Sequence, residues 1–571
     1  RDGAPFEPDS LAAEAFAGSV TLVADDVAAG TATVRVALSD TGKQRTAVWM
    51  RDVEGRDADP VTIAAWGAPV AEQWRDGIVY QVMLDRFRGP GGAWLASPEN
   101  PGARAGGTLD GVTAALQDGS LSALGVSALW LSPVYQNPVE ARLGRDDGQL
   151  YEGYHGYWPM QSRVVDPRLG GEAALHALVA EAHAQGIAVL LDLVPNHLYE
   201  TNPRVAEGKV EGWFHEHAEP CVCGSATCPW STFIGTCWFT EYLPDLRFEH
   251  PDVMATAVAD ALWWHETFDT DGFRIDAVPM MPRAATRRIA HALRQATAPR
   301  ASAFTIGEIF TGAGRGGTED LRYYLGPDGL DSAFDFPLMW ALREVVAHGG
   351  SFTAIEESLG YSEQSLQGSG AEQQLGRMIG NHDVTRFASE IAGDAGGDPW
   401  ADAPRQPDAA AVFERQRLAL ALVLTLPGLP VLYYGDEVGL AGAADPDNRR
   451  VMPDPEGLAD TQRELLESVR RLAQLRRCLP ALRRGSRRGV IGSATQYAFV
   501  RDADDGAPAL VVVSTANDAV DVALSIPGTL PPGRYDDALG GPSLQVAAGD
   551  TTVSLPARGV AVFVPSGNAC L

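Results

Sequence analysis

The feature that most constrains the fold is a regular alternation of short apolar segments with longer helix-like segments. Eight segments have the length and apolar character of buried strands, and helix-like stretches separate them. These strands are predicted at residues 78–83, 128–131, 187–193, 272–278, 304–310, 331–337, 378–383 and 430–434. Eight such units within about 400 residues predict an α/β fold, a (β/α)8 TIM barrel with insertions.

Three regions interrupt or flank this alternation. Residues 198–249 carry four cysteines, many aromatic residues and no clear helix, which predicts a small inserted domain after the third strand. Residues 1–70 contain alternating stretches such as 31–38 and predict a small β-rich N-terminal segment. Strands and turns return over 486–571 and predict a C-terminal β-sandwich. The barrel is therefore assigned to 71–197 and 250–485.

The charge of the chain argues against two classes of partner. A formal net charge of -29 and a pI of about 4.7 disfavour both nucleic acid and anionic membrane surfaces. No apolar run reaches the length of a membrane-spanning helix. Lysine occurs only at Lys43 and Lys209, which argues against Schiff-base chemistry.

Six cysteines are distributed unevenly, with four inside the predicted insertion and two far from it. They are Cys221, Cys223, Cys228, Cys237, Cys478 and Cys570. A cluster of this kind indicates either disulfides or a zinc site. The first gap is C-x-C, not the C-x-x-C of most zinc ribbons, so disulfides are favoured. We expect two in the insertion with their pairing open, and a third between the two distant cysteines. Disulfides persist in oxidising compartments, so a secreted, periplasmic or otherwise extracytoplasmic location is expected.

The fourth predicted strand carries a charged pair in an apolar setting. Arg274 and Asp276 are two residues apart, so in a strand they point to the same face. An arginine beside a carboxylate holds it ionised, as a nucleophile requires. A structural ion pair is the alternative interpretation.

Other strand ends favour the catalytic interpretation. The functional residues of such barrels lie where the strands end. The third strand ends near His197, the fifth near Glu308, and the seventh at His382 and Asp383. Together with Arg274 and Asp276 they place three carboxylates, two histidines and an arginine at one mouth. That convergence predicts an active site.

These strand ends resemble the α-amylase family of retaining α-glucan enzymes, glycoside hydrolase family 13. The matching stretches are residues 192–197, 272–276, 307–309 and 381–383, with flanking matches at 154–158, 243–246, 428–430, 433–437 and 445–449. The resemblance covers about residues 76 to 480 and leaves the N-terminal segment outside.

The resemblance implies roles for three carboxylates. Asp276 resembles the nucleophile that forms a β-glycosyl ester, and Glu308 the acid that protonates the leaving oxygen and then activates water. Apolar residues before Glu308 could raise its pKa, as an acid requires. Asp383 resembles the third carboxylate, which holds sugar hydroxyls as the ring distorts. In a retaining site the two reacting carboxyl groups lie roughly 5 to 5.5 Å apart, against about 6.5 to 9.5 Å in an inverting one.

The resemblance also implies substrate-binding residues. His197 and His382 resemble hydrogen-bond donors to the same sugar, and Tyr157 resembles the aromatic platform beneath it. Arg274 orients the nucleophile, and Asp445 and Arg449 resemble the residues that hold the next sugar. The plain alternatives are satisfied strand-end histidines, a core tyrosine and a surface salt bridge.

A calcium ion between barrel and insertion is implied by two further matches. Asn196 and Asp245 resemble family ligands, and their oxygen atoms suit a hard cation. An ordinary hydrogen-bonded pair is the alternative. No organic cofactor is expected.

One departure from the family pattern bears on substrate. Pro279 and Met280 stand where many α-amylases carry a Lys-His pair that faces the leaving-group sugars, which argues against a plain endo-acting starch amylase. Residues 243–246, in contrast, favour the amylase-like members of the family. We expect a hydrolase of α-1,4 or α-1,6 glucosidic bonds in malto-oligosaccharides, cyclic glucans or starch.

Two other functions are alternatives to an α-glucan hydrolase. A transglycosylase of the 4-α-glucanotransferase or maltosyltransferase type would use the same residues. A non-catalytic relative with a binding role is disfavoured, because such relatives usually lose acidic residues and this chain keeps Asp276, Glu308 and Asp383. The sequence leaves the oligomeric state open.

Overall fold

Eight parallel strands form one barrel sheet at the centre of the molecule. The computed structural model describes residues 7, 10, 12–15, 19–26, 31–37, 43–58, 60–66, 74–144, 147–218, 220–296, 303–371, 373–504, 506–526, 530–547 and 550–571. The barrel strands are β1 Val79–Val82, β2 Ala128–Leu131, β3 Ala188–Leu193, β4 Gly272–Ile275, β5 Phe304–Gly307, β6 Ser332–Ala333, β7 Gly376–Arg377 and β8 Leu429–Tyr433. Their order is β6-β5-β4-β3-β2-β1-β8-β7, and a parallel bridge between Phe334 and Gly376 joins the two edges. The predicted TIM barrel is confirmed.

Helices surround this sheet and follow the strands in sequence. The longer ones are Leu109–Gln117, Gly171–Ala184, Pro251–Phe268, Arg283–Ala296, Gly314–Tyr324, Phe336–Val346, Thr353–Leu366, Ala410–Thr425 and Asp460–Cys478, and shorter ones are Leu84–Phe87, Ser120–Ala123, Phe387–Ala392 and Pro480–Arg484. Local signals explain their ends. The helix before β3 stops ahead of Gly186, whose φ of 72° suits glycine. No helix in the described part of the chain is long and apolar enough to cross a membrane.

Two predicted strands have different bounds in the structure. β7 covers Gly376–Arg377, so the predicted strand at 378–383 is wrong and forms the loop beyond the strand instead. The apolar run at 331–337 is also shared between two elements, because Asp335 caps the helix Phe336–Val346 and Pro337 lies in its first turn. Apolar character alone cannot tell where a buried strand passes into a buried helix.

The insertion after β3 contains more helix than its sequence suggested. Residues Pro203–Glu211 form a helix that begins with Asn202 as its cap and Pro203 in its first turn, so the expectation of no clear helix is wrong. A short second helix covers Trp230–Phe233. Hydrophobic periodicity does not predict the first helix, because few of its residues are apolar.

The cysteines pair in the structure. Cys221 bonds to Cys228 and Cys223 to Cys237, while Cys478 bonds to Cys570. The two insertion bridges lie in one buried cluster that also contains Ala277 and Met280 from the loop after β4. The cystines therefore support the same loop that leads away from the catalytic strand end.

Antiparallel strands lie on both sides of the barrel in the chain. The N-terminal strands are Ala12–Ala15, Ser19–Asp26, Thr31–Ala37, Lys43–Trp49 and Val61–Trp66. The C-terminal strands are Ser486–Gly492, Gln496–Asp502, Ala509–Ser514, Val520–Leu524, Gly533–Asp537, Leu544–Val546, Thr551–Leu555 and Val560–Pro565, in sheets of six and two that share an apolar core. The last residue of the stretch predicted at 31–38 lies outside the described residues.

One buried lysine fastens the N-terminal strands to the barrel. Lys43 Nζ lies 2.9 Å from both Asp269 Oδ1 and Asp271 Oδ1, and its side chain is 2% exposed. Asp271 directly precedes β4 and also accepts a hydrogen bond from His183 at 2.8 Å. Although burial acts to raise the pKa of Asp271, Lys43 and His183 lower it below its ordinary value. The ion pair therefore joins the N-terminal segment to the base of the catalytic strand.

Replacing this lysine should destabilise the protein. We expect Lys43→Met to lower the free energy of unfolding by about 3 kcal/mol, because it leaves buried carboxylates without their cation. Lys209→Met is the matched control, since Lys209 is exposed and its loss should change stability by less than about 0.5 kcal/mol. Denaturant titration measures both. Equal unfolding midpoints for the two variants would contradict the stabilising role of Lys43.

Candidate active site

The guanidinium of Arg274 lies at the centre of the site and contacts three carboxylates. Its Nη1 is 2.7 Å from Asp192 Oδ1 and 2.6 Å from Asp276 Oδ1, and its Nη2 is 3.1 Å from Glu308 Oε2. Arg274 is 1% exposed. Buried charges persist only when they are paired, so these residues hold one another in place.

The barrel register brings these groups together. Asp192 in β3 pairs directly with Arg274 in β4. Asp276 and Glu308 are the first residues beyond β4 and β5, so they stand at the barrel mouth. Between them Ala277 adopts a left-handed conformation with φ of 49°, and its N–H donates to Glu308 Oε2 at 2.9 Å. A non-glycine residue in this conformation costs of order 1 to 3 kcal/mol and is typical of functional sites.

Burial raises the pKa of the carboxyl groups around Arg274. The pKa values of Asp276 and Asp192 each rise to about 7 although Arg274 opposes the shift, and the pKa of Glu308 is also raised above its ordinary value. The three groups therefore share a proton in their desolvated setting. Arg274 lies closer to Asp276 than to Glu308, so ion pairing favours the charged form of Asp276 more strongly.

Tyr157 and His382 form the floor of the site. Their rings stack at 5.4 Å and 3°, and the Tyr157 hydroxyl lies 2.8 Å from Asp192 Oδ2 and 2.6 Å from His382 Nε2. Gln81 Nε2 lies 2.6 Å from His382 Nδ1 and can only donate, so Nδ1 accepts and Nε2 carries the proton. Burial lowers the pKa of His382 to about 3, so the ring is neutral.

Asp383 leads from this floor to a second pair of charges. Arg449 Nη2 lies 3.2 Å from Asp383 Oδ1, and Arg449 Nη1 lies 2.8 Å from Asp445 Oδ1. Desolvation in the cleft acts to raise the pKa of Asp383, but the neighbouring His382 and Arg449 outweigh it and lower that pKa. Asp383 is thus held as a carboxylate at the edge of the cleft.

His197 has a more limited role than the sequence suggested. Its Nε2 lies 2.9 Å from the backbone oxygen of Tyr157, which can only accept. Burial lowers the pKa of His197 to about 4, so its Nδ1 carries no proton. Nδ1 is buried and has no hydrogen-bond partner within the described part of the chain, and the donation expected from the sequence is already used by the Tyr157 carbonyl.

Most of these groups line one cleft of about 910 Å³, while Arg274 and Asp192 lie beneath its surface. The polar part of the cleft includes Asp383, Arg449 and Asp445, which contact one another. The apolar part is bordered by side chains from the insertion and from the loops after β4 and β5. These are Trp230, Ile234, Phe239, Ala277, Pro279, Met280 and Phe310. Three of them are large and exposed, with exposed fractions of 43% for Trp230, 39% for Ile234 and 51% for Phe310.

Met280 differs from its expected setting. It stands where the resemblance implies a residue that faces the leaving-group sugars, but only 4% of it is exposed and it packs among the buried cysteines. Its flexible thioether fills the space beside the two bridges. The exposed apolar surface on this side is supplied by other residues, such as Trp230 and Phe310.

Three residues of the site were missed by sequence reasoning. Asp192 holds Arg274 and Tyr157, Gln81 fixes the His382 ring, and Trp130 Nε1 donates to Asp192 Oδ2 at 3.1 Å. Each is a polar or amphipathic side chain inside an apolar strand. That signal was available, but it does not separate a positioning residue from an internal hydrogen bond.

Asn196 and Asp245 lie together between β3 and the insertion. Asn196 Nδ2 donates to Asp245 Oδ1 at 2.9 Å, and His215 Nδ1 lies 2.7 Å from Asp245 Oδ2. Asn196 Oδ1 is buried and has no hydrogen-bond partner, as an oxygen reserved for a cation would be. Within the described residues, no cluster of three or more His, Cys, Asp or Glu side chains is arranged to hold a metal. Asn196 Oδ1 therefore fits a calcium ligand, with oxygen atoms still needed from elsewhere.

Known proteins resemble the chain over most of its length. A family model described as "Alpha amylase, catalytic domain" matches residues 81–480. An α-amylase of Streptomyces lividans is 28% identical over 82% of this chain and 57% of its own length. A cyclomaltodextrinase of Geobacillus thermopakistaniensis is 26% identical over 86% of this chain and 78% of its own. The chain thus spans just over half of the Streptomyces protein.

A solved structure agrees with these matches. The α-amylase of Geobacillus thermoleovorans in complex with acarbose superposes with a TM-score of 0.70 at 26% identity, and the match covers 86% of this chain and 98% of that one. The family match spans the barrel strands from β1 to β8 and includes every carboxylate around Arg274. The chain belongs to the α-amylase family.

Proposed function

We propose that the chain is a retaining hydrolase of α-glucosidic bonds. The observation that carries the proposal is the Arg274 guanidinium, which holds Asp276 and Glu308 at one barrel mouth and lies closer to Asp276 than to Glu308. Asp383 stands beside them as a third carboxylate. Two ionisable groups whose environments push them apart can serve as nucleophile and acid.

The reaction follows from these assignments. The Asp276 carboxylate attacks the anomeric carbon while Glu308 gives its proton to the leaving glycosidic oxygen. The bond to that oxygen breaks, and a glycosyl ester forms on Asp276. Glu308, now a carboxylate, takes a proton from water, and the resulting hydroxide replaces the ester oxygen. Asp276 is released with both carboxyl groups in their starting states.

The surrounding residues would bind and orient the reacting sugar. Tyr157 offers its ring face, His382 holds the Tyr157 hydroxyl through its neutral Nε2–H, and Asp383 accepts from sugar hydroxyls. Asp445 and Arg449 extend this polar surface by one sugar. These positions define the donor side of the cleft, and the apolar side beyond Asp276 is the acceptor side.

The substrate class we propose is an α-1,4-glucan, with α-1,6 bonds as a second possibility. Relatives named α-amylase and cyclomaltodextrinase support it. Transglycosylation is the second candidate, because Trp230, Ile234 and Phe310 give the acceptor side a surface on which a sugar could stack in place of water. A relative named cyclomaltodextrin glucanotransferase is 28% identical over 85% of this chain. The three disulfides support an extracytoplasmic location.

Removing either reacting carboxylate should abolish turnover without unfolding the protein. We expect Asp276→Asn and Glu308→Gln to lower kcat by about 10⁴-fold on malto-oligosaccharides, since each removes a group that acts in the transition state. Glu308→Gln should retain more activity on substrates with good leaving groups. Asp328→Asn is the control, because the Asp328 side chain is 80% exposed and does not line the cleft. Product analysis on malto-oligosaccharides, cyclodextrins, pullulan and starch measures all variants. A near-normal rate for Asp276→Asn would refute the assignment.

Calcium should stabilise the junction between β3 and the insertion. Asn196 and Asp245 would hold the ion, which would supply positive charge between two buried oxygen atoms and no chemistry at the reacting bond. Saturating calcium should raise the free energy of unfolding by about 2.7 kcal/mol at 100 times its Kd. The expected results are about one calcium per chain by elemental analysis and a lower melting temperature after chelation. Asn196→Ala should remove both effects; a wild-type protein free of calcium would contradict the proposal.

The acceptor side should favour short substrates over starch. Pro279 offers no donor where many relatives carry lysine, and a charged hydrogen bond is worth about 1.5 to 3 kcal/mol. We therefore expect higher kcat/KM on oligosaccharides or cyclic glucans than on soluble starch. Pro279→Lys should shift the ratio toward starch by about tenfold. The double variant that adds Met280→His is harder to interpret, because Met280 packs among the cystines and its replacement also disturbs that packing. Faster cleavage of internal starch bonds than of any short substrate would show this to be wrong.

A further inference from the structure

The cleft is also lined by side chains that the proposed reaction does not use. Gly144, Asp147 and Tyr151 line the cleft together with Asp445 and Arg449. Tyr151 donates to Asp147 Oδ2 at 2.6 Å. Its ring meets that of Trp400 edge to face at 5.2 Å and 85°. We call Asp147, Tyr151 and Trp400 the donor wall.

The donor wall connects two sides of the barrel mouth. Tyr151 pairs with Arg142 in a short antiparallel ladder between β2 and β3. Arg142 forms an ion pair with Glu200 and lies 4.8 Å above the Tyr242 ring, so this ladder is joined to the insertion. Trp400 does not itself line the cleft; it packs against Tyr151 from the long loop after β7. The wall therefore joins the ladder, and through it the insertion, to the loop that follows Asp383.

Close packing holds the wall in position. A side chain at Gly102 would place its Cβ 2.5 Å from the Trp400 ring and 2.6 Å from the Leu150 backbone oxygen. A side chain at Gly144 would place its Cβ 2.6 Å from the Tyr151 ring. A side chain at either position would force its neighbours to move, so the two rings and the ladder are closely packed.

The order of contacts fixes where the wall lies relative to the chemistry. From Asp276 the polar surface passes to Asp383, then to Arg449 at 3.2 Å, then to Asp445 at 2.8 Å. Asp147 and Tyr151 line the cleft together with this last pair. A glycone bound at Asp276 extends toward its non-reducing end along this path. It would meet the wall after the sugar at Asp445 and Arg449.

We propose that the donor wall makes the enzyme cut glucan chains from their non-reducing ends and release one short product, maltose or maltotriose. This inference rests on the proposed function. An endo-acting enzyme needs a cleft open at both ends, since the chain continues past the site in each direction. A wall at the donor end admits only chain ends, and starch carries few of these per unit mass. Of the substrates expected to be preferred over starch, the wall therefore favours short linear oligosaccharides, because cyclic glucans have no end that could enter.

The test compares two substrates that differ only at the non-reducing end. They are 4-nitrophenyl α-maltoheptaoside with a free end and the same compound blocked by a 4,6-O-benzylidene group. Products are separated by chromatography. We expect the wild type to form one short product from the free substrate and to cleave the blocked one at least about tenfold more slowly, since a closed pocket rejects added bulk.

Variants of the wall should remove this discrimination. Tyr151→Ala and Trp400→Ala should bring the two rates within a few-fold and broaden the products, while Leu143→Ala should behave as wild type because Leu143 is 62% exposed on the same ladder. The ratio of the two rates is the readout, so a partly folded preparation does not bias it. Equal wild-type rates would overturn the inference and leave the proposed function standing. Discrimination that survives both wall variants would also overturn it. No cleavage of either substrate would overturn the proposed function itself.

Discussion

The site depends on one buried guanidinium with too many anionic neighbours. Arg274 contacts Asp192, Asp276 and Glu308, so a single positive charge serves three carboxyl groups in a desolvated place. This shortage of positive charge keeps a proton in the cluster, and the shorter contact with Arg274 favours the ionised form of Asp276 over that of Glu308. A more neutral pairing would leave both reacting groups ionised and remove the acid. The imbalance is therefore the physical origin of the proposed chemistry.

The rest of the structure supplies rigidity around that imbalance. Asp192 is held by Tyr157 and Trp130, while Gln81 fixes the ring of His382. The loop after β4 rests on the cystine cluster of the insertion, and β4 itself is fastened from below by the ion pairs of Lys43. Elements from widely separated parts of the chain thus converge on one short strand. A site that holds three carboxyl groups around one guanidinium requires such support.

The sequence predicted the barrel and the reacting carboxylates because both leave strong local signals. Alternating apolar runs mark buried strands, and a charged residue directly after such a run marks a strand end. The helix Pro203–Glu211 was missed because its sequence is polar and its stability depends on capping and packing. Gln81 and Trp130 were missed because their partners, His382 and Asp192, are distant in sequence. The restricted role of His197 follows from a backbone oxygen, which no side-chain pattern reveals.

The bridge between Cys478 and Cys570 has a consequence of a different kind. The two residues are 92 positions apart, and the covalent ring they close contains the entire C-terminal sandwich. A protease that cuts any one loop of the sandwich therefore opens the ring without releasing a fragment. The cut pieces remain tethered to the last long barrel helix at one end or the other. In a protease-rich environment the molecule can be nicked there and still travel as a single particle.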